Sequence, residues 1–109
     1  MDQVAFQHAK LAAGGWAEMS FAKQMGNIGS EVSRAMRWYG KNEARFSSSF
    51  NRALELFDLS IMATKEHGKL KELCRAREEF CDYFNGNNWR SDAKAIQRYY
   101  DQFVLLARS

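Results

Sequence analysis

Arg77 stands inside an otherwise apolar helical stripe. Leu70, Leu73, Cys74, Phe80, Cys81 and Phe84 fall on one side at about 100° per residue, with Arg77 near the centre. A guanidinium taken out of water without partners is strongly destabilising. The spacing therefore predicts a buried or half-buried polar site. Glu31 flanks the apolar stripe of the first predicted helix and Asp58 that of the second, so either can offer Arg77 a bidentate carboxylate. Glu18, near the start of the first helix, can join the same network. Two chemistries follow: an internal ion pair that sets helix register, or a pocket that binds a small anion.

A second constellation lies in GNIGSEVSR, Gly26 to Arg34. Ala22, Gly26, Gly29 and Ser33 project on one line, with Asn27, Glu31 and Arg34 on a neighbouring polar face. Two glycines inside a helix cost about 1 kcal/mol each relative to alanine. Close helix–helix approach offsets that cost; the alternative is a backbone surface left open for a ligand or partner.

Cations beside aromatic rings form a third pattern. Arg34, Arg37, Trp38, Tyr39, Lys41 and Arg45 make one cluster, and Trp89, Arg90, Arg98, Tyr99 and Tyr100 another. Lys65, Lys69, Lys71 and Arg75 add a positive set between them. Trp, Tyr and Arg are the common anchors of protein interfaces, and rings beside cations also suit single-stranded nucleic acid. Trp38 and Trp89 are the candidate interface aromatics.

Other chemistry is not expected. There is no phosphate loop after a strand, no HExxH and no nucleophile elbow. Two cysteines and two distant histidines, His8 and His67, make a zinc site improbable on spacing, and no cofactor is expected. Cys74 and Cys81 are seven apart on one helix, which places their Cα atoms about 10 Å apart. That is beyond disulfide reach, as suits free thiols in a reducing compartment.

Four helices must position these groups. The first is predicted from about Trp16 to Tyr39, with Phe21, Met25, Ile28, Val32, Ala35, Met36 and Tyr39 at three- and four-residue steps. Gly40 stops it and Asn42 caps the second, Glu43 to Ala63. The second helix carries Phe46, Phe50, Ala53, Leu54, Phe57 and Ile61 on one face and Leu56, Leu59 and Ala63 on another. The second face is expected to cover the N-terminal segment or another subunit, so Leu56 and Leu59 are candidate interface residues. Thr64 to Gly68 connects to the third helix, which ends near Phe84. Asn85 to Asn88 form a loop. Ser91 caps the fourth helix, Asp92 sits in its first turn, and Ile96, Tyr99, Tyr100, Phe103, Leu106 and Ala107 line its stripe.

The whole reads as a single all-α domain of 109 residues: an antiparallel four-helix bundle over 16–108 with a short N-terminal helical extension over 1–15. Val4, Ala5, Leu11 and Ala12 mark the extension, and Gly14 and Gly15 a hinge. The absence of proline and the scarcity of β-branched residues agree with helices. Net charge is +3 with both signs interspersed, which is too mild to indicate nucleic acid by itself. No stretch reads as a signal peptide or a membrane span, so a cytoplasmic setting without membrane contact is expected.

WAEMSFAKQMGNIGSEVSRAMRW, ALELFDLSI and LKELCRAREEFCDYF together resemble a small uncharacterised prokaryotic all-α family over Trp16 to Ala107. The resemblance implies a helical bundle without an assigned activity, in which GNIGSEV, Arg52, Asp58 and CRAREEFCDYF are the residues to watch. The pattern is also similar to the HEPN superfamily of small, often dimeric helical bundles. Many of those are RNases with a His four to six residues after an Arg. No Arg precedes His67 or His8 at that spacing, so that activity is not implied. The expectation is a non-enzymatic protein-interaction or assembly module, homodimeric by its second apolar face. Weak RNA or DNA binding by the basic–aromatic clusters and anion binding at Arg77 are the alternatives.

Overall fold

Ser20, Asn42 and Asp92 decide where three of the four helices begin. Each places a side-chain oxygen to accept the backbone N–H three residues on, from Lys23, Arg45 and Ala95 respectively. In the computed structural model, which describes residues 15–109, the helices are α1 (Phe21–Trp38), α2 (Glu43–Ala63), α3 (His67–Tyr83) and α4 (Ala93–Arg108). Among the described residues there is no strand. The predicted N-terminal helix around Val4 to Ala12, with His8 and Gly14, lies outside the described residues.

α1 starts at Phe21 rather than Trp16, because Ser20 takes the cap and the preceding residues turn back under the bundle. Trp16 is only 2% exposed there. Its indole N–H donates to Ser60 Oγ at 3.0 Å, and Gln24 Nε2 donates to the Trp16 carbonyl at 2.9 Å. A buried indole needs such a partner, and the turn supplies one that a continued helix would not. Gly40, at φ +74°, makes the reversal into α2. α3 includes His67 and Gly68, which the sequence suggested as connector. Asp92, not Ser91, caps α4; the Ser91 hydroxyl instead donates to Glu79 Oε2 at 2.9 Å.

α1 packs closely against both α2 and α4, and α3 packs on α2. All neighbours run antiparallel. Phe46 near the start of α2 meets Phe84 after α3, and Asp58 meets Arg77. Gly26 lies against Val104 and Gly29 against Tyr100. α3 and α4 meet through longer side chains, with Tyr99 Oη donating to Glu72 Oε2 at 2.9 Å.

The core is built from Met25, Ile28, Val32 and Ala35 of α1, Ala53 and Phe57 of α2, Leu73, Ala76 and Phe80 of α3, and Ile96, Tyr100 and Phe103 of α4. The two apolar faces of α2 are both consumed inside the chain, because it has α1 on one side and α3 on another. Leu56 is therefore a core residue at 5% exposure, and Leu59 is half-buried against the core. The expected place of Leu56 at a subunit interface is corrected accordingly, because it is buried within the chain.

Candidate functional site

The expected buried Arg77 site is not what the bundle forms. Arg77 Nε donates to Asp58 Oδ1 at 3.0 Å, but the two side chains are 35% and 56% exposed. They tie α2 to α3 at the surface. The reason lies one residue away: Leu73, Ala76 and Phe80 face the core, and Ala76 is fully buried. Arg77 thus lies on the flank of the stripe with Cys74, which is exposed, and Cys81, which is half-buried. Burial pushes the Cys81 thiol up from its usual range, and the Arg77 charge opposes this. Alanine is a weak hydrophobic signal in a sequence, so position 76 was outscored by the larger residues on either side of it.

The other two carboxylates go elsewhere. Glu31 is buried and pairs with Arg34 on its own helix. Its Oε2 has no hydrogen-bond partner among the described residues. Glu18 is exposed in the turn before α1. Of the set Arg77, Glu31, Asp58 and Glu18, the structure brings together Arg77 and Asp58 only.

The small residues of α1 do permit close approach. A Cβ on Gly29 would lie 2.5 Å from Tyr100 Cβ, and one on Gly26 would lie 3.4 Å from Val104 Cγ2. The Ser33 hydroxyl bonds across to Gln97 Oε1, and Gln97 Nε2 donates to Asp101 Oδ1 at 3.0 Å. Beside this seam a groove of about 290 Å³ remains open, walled by Ser30, Arg34 and Arg37 of α1 and by Gln97 and Asp101 of α4. Gly26, Gly29 and Ser33 thus make the close helix approach that the sequence suggested, and they also border this groove.

Parts of two clusters that are remote in sequence share one end of the bundle: Trp38 and Tyr39 follow the close of α1, and Trp89 is tied to Asp82 at the close of α3, whereas Tyr99 and Tyr100 pack along α4. Tyr39, after α1, has its ring centroid 5.0 Å from that of Phe84, where α3 ends and the loop to α4 begins. Trp38 is half-buried and carries the Arg45 guanidinium 4.6 Å from its ring centroid. Tyr39 is 52% exposed and packs at an angle on Phe46 and Phe84. Trp89 is 47% exposed. Arg37, Lys41, Arg45 and Arg90, neighbours of these rings along the chain, are all exposed. Of the remaining positive set, Lys69 sits toward the opposite end, pairing with Glu66 at 3.1 Å and lying 5.6 Å from the Phe21 ring, whereas Arg75 in mid-α3 lies 5.5 Å from the Tyr99 ring.

Trp89 is held by a loop whose construction the sequence did not reveal. The Asp82 carboxylate accepts the Trp89 N–H at 2.9 Å, the Asn88 N–H at 3.1 Å and the Asn88 amide at 3.2 Å. Asn87 clasps the Ser91 backbone on both sides, at 2.8 and 3.0 Å. Gly86, Asn87 and Arg90 all take positive φ, at 89°, 46° and 53°. Such a conformation costs an arginine about 1–3 kcal/mol, which the fixed loop must offset. Asn-Gly-Asn-Asn in the sequence signals a turn; that Asp82 organises it depends on α3 ending where it does.

Among the described residues no cluster of His, Cys, Asp and Glu is grouped to hold a metal ion, and no helix is long and apolar enough to cross a membrane. No protein-family model matches the chain, and the searches of curated proteins and of solved structures give no match either.

Proposed function

We propose that this chain is a non-enzymatic interaction module that grips a partner protein with an acidic surface through the end of the bundle bearing Trp89. One observation carries the reading: a half-exposed tryptophan on a loop fastened by Asp82 and Asn87. A pre-ordered aromatic loses little freedom on binding, and tryptophan and arginine are the residues that dominate interface energies. Arg90, Arg45 and Lys41 then form a basic rim that selects acidic partners and speeds encounter. Free thiols at Cys74 and Cys81 agree with a reducing, cytoplasmic setting.

Aromatic rings beside exposed basic residues at one end of the bundle favour a second reading, single-stranded nucleic acid. Stacking of successive bases needs successive open ring faces. Here Arg45 lies over Trp38, and Tyr39 is braced by Phe46 and Phe84, which leaves Trp89 as the open face of this cluster. A homodimer through the same end would bring like charges together, which disfavours it.

Affinity capture with wild type and Trp89→Ser at equal melting temperature tests the proposal. Loss of a defined protein partner with Trp89→Ser, but not with Lys71→Ala at the other end, is the expected outcome. Recovery of nuclease-sensitive RNA whose binding falls steeply with salt would replace it by the second reading. A wild-type dimer in light scattering that Trp89→Ser converts to monomer would name a second copy as the partner.

A further inference from the structure

We infer that the groove between α1 and α4 binds a small phosphorylated polyol of sugar-phosphate size, its phosphate on Arg34 and Arg37 and its hydroxyls on Gln97 and Asp101. The inference is independent of the protein-interaction reading. Arg34 and Arg37 lie one helical turn apart on the same wall of the groove. Arg37 makes no hydrogen bond or ion pair among the described residues, and Arg34 engages Glu31 through Nη1 alone. Planar guanidinium forks match the oxygens of a phosphate; the Ser30 hydroxyl beside them donates to the Gly26 carbonyl at 3.3 Å, so the two arginines are the donors on this wall.

The opposite wall carries acceptors. Ser33 fixes the Gln97 amide by bonding its oxygen, and the same amide orients Asp101. Asp101 keeps a second carboxylate oxygen for a ligand hydroxyl. The groove thus faces two cations toward one carboxylate, yet neither arginine closes an ion pair with Asp101. A molecule with an anionic head and a hydroxyl-bearing body satisfies both walls at once.

Size and shape narrow the class further. About 290 Å³ lies at the small end of ligand sites, which begin near ~300 Å³. Tyr100 lines the floor but is 3% exposed and covered by Gly29, so the groove offers no ring face on which a base could stack. A sugar phosphate matches this volume, and a nucleotide base would find no aromatic ring here to stack on.

The test is a ¹H–¹⁵N NMR titration of the full chain with ribose 5-phosphate, inorganic phosphate, ribose and glutamine. Saturable shifts at the Gly29, Ser30 and Ser33 amides are expected with ribose 5-phosphate, about tenfold tighter than with inorganic phosphate and absent with ribose. Arg37→Gln, an exposed change, should weaken both anions by about tenfold or more, whereas Asp101→Asn should remove the preference for the sugar phosphate and leave phosphate binding intact. No saturable shift, equal affinity for the two anions, or tighter binding of zwitterionic glutamine would each overturn the inference. Trp89→Ser should bind ribose 5-phosphate as wild type does, so the two proposals fail separately.

Discussion

At the scale of single residues, the two glycines of α1 have different reasons to be glycine. Gly29 has Tyr100 where its Cβ would stand, at 2.5 Å, whereas Gly26 has only ordinary contact with Val104 at 3.4 Å. Gly29→Ala should therefore destabilise the fold by about 1–3 kcal/mol through overpacking at the α1–α4 seam. Gly26→Ala should be neutral or stabilise by up to about 1 kcal/mol, because helix propensity improves without a clash. Urea midpoints of the two variants decide this, and equal losses at both sites would contradict the packing seen here. The sequence put both glycines on one line with Ser33; it held no information on which of them meets a tyrosine. Arg77 teaches the converse. A cation among large apolar residues looked central, yet fully buried Ala76 beside it turns the helix so that Arg77 reaches solvent and Asp58.

At the scale of elements, the α3–α4 connection is the least predictable part and the most specific. Asp82 closes it by accepting from Asn88 and Trp89, and Asn87 locks Ser91. Asp82→Ala should cost about 1–3 kcal/mol, the range for losing hydrogen bonds to a charged group, moderated here by exposure. Amide hydrogen exchange should accelerate at Asn88 and Trp89 while the amides of α1 keep their protection. If those two amides keep their wild-type rates, the Asp82 clamp does not hold the loop. α2 shows how an element can mislead when read alone. Its second apolar face suggested a subunit contact, but a helix flanked on two sides within one chain needs two faces, and Leu56 fills the second.

At the scale of the whole molecule, α3 and α4 are held together by long polar and aromatic side chains, which couples stability to pH. Burial, with Tyr99 and Glu79 adding to it, raises the Tyr100 hydroxyl far above the ordinary tyrosine range. Burial and the bond to Glu72 do the same for Tyr99. The folded chain thus favours neutral phenols more than the unfolded chain does. That contribution is fully present below the ordinary value of about 10 and is lost as pH rises above it, because the unfolded state releases its protons first. Urea midpoints should fall as pH rises from about 10 to about 12, and less steeply in Tyr100→Phe. An identical slope in the variant would show that Tyr100 ionises without unfolding.

The sequence by itself determined the all-α class, four helices and most of their limits. Periodicity and caps are local, and Asn42 and Gly40 act within a few residues of themselves. The small-residue line of α1 and the presence of two basic–aromatic clusters were legible for the same reason. Only the tertiary structure decided which partners these groups meet: Asp58 rather than Glu31 for Arg77, Ser60 for Trp16, Tyr100 for Gly29 and the Tyr39 end for Trp89. Those pairings depend on how each helix is rotated about its axis and on which neighbours flank it. Both are set by the summed packing of the whole core, and no local spacing encodes them.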